Sequence, residues 1–117
     1  MNKADLERRT KGFAIDVIRF VSGLPKTQVS SVLGNQLLRS GTSIGANYRE
    51  ANRAVSRNDF THKVGLVEKE AAETQYWLEL CDAIALGDNP TRQKLLLECR
   101  ELIAIFTSIG RSLKSNS

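Results

Sequence analysis

Apolar residues return every three or four positions along almost the whole chain, and they resolve into four segments. Leu6, Phe13, Val17, Phe20 and Leu24, reinforced by Ala14, Ile18 and Val21, lie on one side of a helix predicted over residues 4–22. Gly23-Leu24-Pro25 closes it, because glycine suits a helix C-terminus and proline cannot continue one. A second stripe, Leu33, Leu37, Gly41, Ile44, Tyr48, Ala51 and Val55, predicts a helix over 29–54. Ser56 with Asp59 three positions on resembles a capping box and opens a third, over 58–86. Its stripe of Phe60, Val64, Val67, Ala71, Thr74, Leu78, Cys81 and Ala85 alternates steps of four and three, as in a bundle seam. In Gly87-Asp88-Asn89-Pro90 the glycine is expected to end that helix and Asn89 to cap the next. The fourth helix is predicted over 90–113, with Leu95, Cys99, Leu102, Phe106, Ile109 and Leu113 inward and the tail Lys114–Ser117 frayed. Nothing alternates with period two. Short connections make neighbouring helices antiparallel. The expectation is all-α: one domain, 1–117, folded as an antiparallel up-down-up-down four-helix bundle.

Two segments strain this simple picture. Ser40-Gly41-Thr42-Ser43-Ile44-Gly45 puts two glycines inside the second helix, each costing about 1 kcal/mol against alanine. The stripe stays in phase across them, so the helix is expected to continue, with the small residues admitting a neighbouring backbone; a kink near Gly41–Gly45 is the alternative. The third helix carries a second apolar row, Leu66, Trp77, Leu80 and Ile84, shared with Glu70 and Glu73. One small bundle does not readily bury two faces of one helix, and exposed apolar patches mark interfaces. Glu70, Glu73, Trp77, Leu80 and Ile84 are therefore the candidate homo-oligomer interface, with the two carboxylates available to arginines across it.

Length and composition set the class. A chain of 117 residues, 41% hydrophobic and 26% charged, is long enough for one real core. The N-terminus is charged throughout and no apolar run approaches the ~20 residues of a membrane span, so a cytoplasmic protein with no membrane partner is expected. Cys81 and Cys99 each fall on an apolar stripe and fit no zinc spacing, which makes them buried, reduced thiols. A tight hairpin between their helices would leave room for a bridge.

Candidate catalysis is sparse. His62 is the only histidine, expected at the surface; there is no Glu-x-x-His pair for a di-iron bundle and no Gly-rich phosphate loop. Glu68, Glu70 and Glu73 read as a solvated face or as ion-pair partners. The reading is a non-enzymatic protein with no metal and no cofactor.

Charge says more. The net charge is +4, and residues 58–87 hold two basic against six acidic side chains, so the basic excess lies elsewhere. Arg49, Arg53 and Arg57 repeat every four residues; Arg8, Arg9 and Lys11 cluster early in the first helix; Arg39 lies beside the small-residue segment. Such rows suit phosphates, whose neutralisation releases counterions. Aromatic residues are absent from them apart from Tyr48, so contact would be to backbone and weakly sequence-specific. The competing reading has the same arginines meeting the acidic third helix.

The residues also carry a resemblance. Leu37-Leu-Arg-Ser-Gly-Thr-Ser-Ile-Gly-Ala-Asn-Tyr-Arg-Glu50, then Ser56-Arg-Asn-Asp-Phe60, then Glu73-Thr-Gln-Tyr-Trp-Leu-Glu-Leu80 together resemble the four-helix-bundle family of proteins encoded in intervening sequences of bacterial 23S ribosomal RNA genes. The accessory protein of diversity-generating retroelements looks like a relative. The resemblance, over about Phe13 to Leu113, implies an antiparallel bundle, a homopentamer, RNA or DNA as ligand and, in the retroelement branch, a reverse transcriptase as partner. The function expected is an oligomeric nucleic-acid-binding protein; the alternative is a scaffold that recruits a protein.

Overall fold

In the computed structural model, which describes residues 1–115, four helices follow one another: α1 (Lys3–Ser22), α2 (Gln28–Ala51), α3 (Arg57–Ala83) and α4 (Asn89–Ser115). Each packs on its chain neighbours, and α1 closes the square against α4; across the diagonals only core side chains meet. Arg9 reaching Glu98, and Lys94 reaching Asp16, fix α1 and α4 antiparallel; the short connection over 52–56 turns α3 back along α2, where Arg39 reaches Glu70 and Glu73. The bundle measures 46 × 22 × 20 Å.

Each helix starts where a side chain takes up its free N–H groups. Asn2 accepts from the Asp5 N–H at 2.8 Å while Asp5 accepts from Asn2, a full capping box ahead of α1. Thr27 caps α2 and Ser56 caps α3. Asp59 returns to the Val55 N–H instead of to Ser56, and that bond, helped by Lys63, holds its carboxyl below the usual range. Asn89 does not cap α4. Asp88 does, accepting from the Thr91 N–H at 3.1 Å and from its hydroxyl, while Asn89 is already helical.

The helix ends differ more from expectation. α2 stops at Ala51, because Asn52 caps it and the chain turns through 52–54. α3 stops at Ala83, before Gly87. Leu86 N–H bonds Cys81 O and Ala85 N–H bonds Asp82 O, with Ala85 at φ +52°: a Schellman ending that uses alanine where glycine is the rule. Gly87 (φ +80°) makes the reversal that follows, where a Cβ would lie 2.6 Å from the Phe20 ring. α4 runs on to Ser115, so the predicted fraying fails at Lys114 and Ser115 and otherwise falls outside the described residues.

Phe13, Val17 and Phe20 of α1 meet Leu37, Ile44 and Tyr48 of α2, Val67, Ala71 and Leu78 of α3, and Leu95, Leu102 and Phe106 of α4. Burying each large side chain contributes about 1.5–3 kcal/mol. Tyr48 and Phe106 meet edge to face with centroids 5.3 Å apart. α2 passes Gly41 and Gly45 unbroken, and both face α1: Cβ atoms there would stand 3.0 Å from the Val17 methyls and 3.1 Å from the Thr10 hydroxyl. Close approach, not a kink, accounts for them. Both cysteines are free and buried. Cys99 donates to Ala71 O at 3.5 Å, ten residues along α3 from Cys81 and so ~15 Å from it by helical rise, far beyond bridging distance. Burial pushes the Cys99 thiol up to about 12.

One charged group belongs to this frame. Arg92 is only 4% exposed. Its guanidinium donates to Asp82 at 2.8 Å, to Leu86 O at 2.8 Å, to Gly87 O at 3.0 Å and to Asn89 at 2.7 Å, pinning the α3–α4 turn.

Candidate nucleic-acid interface

The antiparallel bundle gathers charge at one end. Residues 1–11, 45–66 and 104–115, which start α1, join α2 to α3 and finish α4, carry ten basic and four acidic side chains. That net of +6 exceeds the +4 of the whole chain, although Glu98 and Glu101, held by Arg9, and Glu68, beside Gly110, reach this end from just outside those stretches. Two cross-links hold this basic pole together: Asn52 donates to Glu7 at 2.9 Å, and Arg57 donates to Leu113 O at 3.2 Å.

The pole contains six of the seven cations singled out by sequence: Arg8, Arg9, Lys11, Arg49, Arg53 and Arg57. They do not form the rows expected. Because α2 ends at Ala51, Arg49, Arg53 and Arg57 fall on a helix, a turn and the next helix instead of one face. Several are engaged. Arg8 pairs with Asp5. Arg9 pairs with Glu98 at 2.7 Å and Glu101 at 2.8 Å, and its hydrogen bond holds the Glu98 carboxyl below its usual range. Arg49 stands 3.9 Å from Glu7, a long contact. Lys11 and Arg53 are exposed and make no ion pair among the described residues. Two shallow grooves share Arg49: one runs past Lys11, Thr42 and Ala46, the other past Glu50 and Arg53. Arg39 is elsewhere, at mid-bundle, where it donates to Glu70 at 3.3 Å and Glu73 at 2.8 Å. So, of the arginines singled out by sequence, Arg39 does meet the acidic third helix, as Arg92 also does through Asp82. Exposed Lys3 and Arg111 belong to the pole and were missed, because the signal is tertiary and not a local run.

Beside these cations lies an apolar cavity of about 580 Å³ between the start of α1 and the end of α4, walled by Leu6, Tyr48, Phe60, Ile105 and Ile109. Burial raises the Tyr48 hydroxyl above its ordinary value against a hydrogen bond with Asn52.

The expected oligomer face also changes. Glu70 and Glu73 are taken by Arg39 of the same protomer. Trp77 and Leu80 are half-buried, with Trp77 Nε1 lacking an acceptor among the described residues, while Ile84 is exposed. The register set by Arg39 puts exposed Val29 and Val32 of α2 level with Tyr76–Ile84, so the apolar surface spans two helices. His62 is exposed. Among the described residues no three His, Cys, Asp or Glu side chains converge as a metal site needs, and no helix is long and apolar enough to cross a membrane.

Fold and surface together define a four-helix bundle with one basic end. The model of the 23S rRNA-intervening sequence protein family matches residues 2–108, and the chain belongs to that family. A crystal structure of a protein of unknown function from the S23 ribosomal protein family of Bacteroides thetaiotaomicron is similar throughout: 35% identity, TM-score 0.85, covering 95% of this chain and 99% of that one. A search of curated proteins finds no match.

Proposed function

We propose that this protein is a non-enzymatic binding protein that holds the sugar-phosphate backbone of RNA or DNA against its basic pole. The observation that carries the reading is the excess of basic side chains at one end, ten against four acidic in the three stretches of chain that assemble it and still in excess once Glu68, Glu98 and Glu101 are counted. Lys11, Arg49 and Arg53 lead the contact, as they are exposed and free or nearly free of internal carboxylates. Arg39, neutralised by two glutamates, takes no part. Fluorescence anisotropy of labelled RNA and DNA, titrated across salt concentrations, tests it. Arg49→Glu with Arg53→Glu should weaken binding at least tenfold and flatten the log–log salt slope by about 1.4–1.8, at 0.7–0.9 per lost phosphate contact. Arg39→Gln should leave both unchanged. Unaltered affinity in the double variant rejects the pole as the site.

A second reading, a self-associating scaffold, is favoured by the apolar surface at the α2–α3 end. Val29, Val32, Tyr76 and Ile84 are each more than half exposed beside Trp77. Patches of this kind on a small domain usually lie under a partner. Light scattering is expected to give an oligomer that Ile84→Glu with Val32→Glu dissociates; a monomeric wild type ends this reading.

A further inference from the structure

We propose that the apolar cavity at the basic pole is a base-binding pocket, taking an unstacked nucleobase from a single-stranded nucleic acid whose phosphates rest on the surrounding cations. This inference rests on the reading of the pole as a backbone-binding surface. The cavity, about 580 Å³, is of the size that holds small-molecule ligands and exceeds one base, leaving room for its sugar. Its walls and its rim make opposite demands. Leu6, Phe60, Ile105 and Ile109 offer nothing to a phosphate, while Lys3 on the same lining disfavours a neutral apolar guest, and exposed Arg57 and Arg111 belong to the same pole. An aromatic ring carried on an anionic backbone satisfies both.

The aromatic inventory fits the same guest. Tyr48 is 4% exposed and its ring is engaged with Phe106, so it floors the cavity. Phe60, half-buried, has no ring partner among the described residues and is the ring left for stacking. Asn2 and Ser108 put polar side chains on the lining for a base edge. Bases in a duplex are already stacked and paired, so only single strands, loops or ends supply one. Stacking of this kind tolerates any sequence, because every base has a π-face.

The test compares two labelled strands of equal length and charge on the intact protein: a single-stranded decanucleotide and its abasic counterpart. The base-bearing strand should bind about tenfold tighter, within the range one stacked base supplies. Phe60→Ala should erase that advantage. Ser108→Trp, a substitution from an exposed position on α4 that fills the cavity without touching the core, should erase it too, and the abasic strand should bind both variants as it binds wild type. Equal affinity of the two strands for wild type overturns the pocket and leaves the pole standing, as does an advantage that survives Ser108→Trp. If neither strand binds wild type at low salt, the pole itself is wrong and the pocket falls with it.

Discussion

Arg92→Ala is expected to cost the bundle about 3 kcal/mol, a large share of the 5–15 kcal/mol that holds a small domain together. Four acceptors depend on this guanidinium: the Asp82 carboxylate, the Leu86 and Gly87 carbonyls, and Asn89. Truncation leaves them facing a hole near the α3–α4 turn, and removing one partner of a buried charged network is far more damaging than never having had it. Arg92→Lys should recover only part of the loss, since an ammonium cannot reach four acceptors in a fixed fork. Acid gives an independent check. The hydrogen bond from Arg92 holds the Asp82 carboxyl below its ordinary 3.8, so its contribution is present above that value and lost as pH falls through the folded pKa. Urea unfolding of wild type and Arg92→Ala should therefore differ most at neutral pH, and the gap should narrow without closing as pH falls below ~3.8, because the Leu86, Gly87 and Asn89 acceptors do not titrate. A deficit under 1 kcal/mol at neutral pH would show the turn to be held by its backbone bonds alone.

Arg92 also marks what sequence reading could not reach. The stripes in the first, third and fourth helices are repeats of local spacing, and their central members, Val17, Leu78 and Phe106 for instance, are fully buried, while Leu24, Phe60, Ile109 and Leu113 near the helix ends are half-buried. Periodicity is a property of one helix at a time, so it transfers directly. Arg92 lies on the buried side of α4 but is charged, so a hydrophobic pattern passes over it; its acceptors belong to a turn whose geometry depends on Ala85 at positive φ, which no glycine announces. Helix ends failed for the same reason. Gly87 looked like the terminator of α3, yet the chain left the helix four residues earlier. The basic pole was half legible: Arg8, Arg9, Lys11, Arg49, Arg53 and Arg57 were named from short runs, but their grouping required the antiparallel fold to bring the end of α4 beside the start of α1. The expected arginine row failed because its spacing assumed one helix across residues 49–57, where Asn52 ends it. Glu70 and Glu73 went to Arg39 because α2 and α3 face each other in that register, which the two sequences taken separately do not encode.

Gly41→Leu and Gly65→Ala should move stability in opposite directions, although both replace a glycine inside a helix. At Gly65 nothing lies within 4 Å of a built Cβ, so alanine meets no neighbour and recovers only backbone propensity, about 1 kcal/mol of stabilisation. At Gly41 the Cβ alone would already lie 3.0 Å from Cγ1 and Cγ2 of Val17. Val17 is fully buried and cannot swing away. Adding the rest of a leucine forces α1 and α2 apart along a contact that Gly45 against Thr10 and Gly34 against Val21 also keep close. Overpacking of this kind costs about 1–3 kcal/mol, and with no room to relax the upper end is expected. The Gly34, Gly41 and Gly45 row therefore sets the distance between the two helices, and a net gain from Gly41→Leu in denaturant titration would mean that the approach is looser than 3.0 Å implies. The consequence extends to binding. Lys11 and Arg49 flank the groove that this approach creates, beside Gly45 and Ala46. A variant that spreads α1 from α2 should weaken nucleic-acid binding at the pole together with stability, whereas Gly65→Ala should raise stability and leave binding as it was.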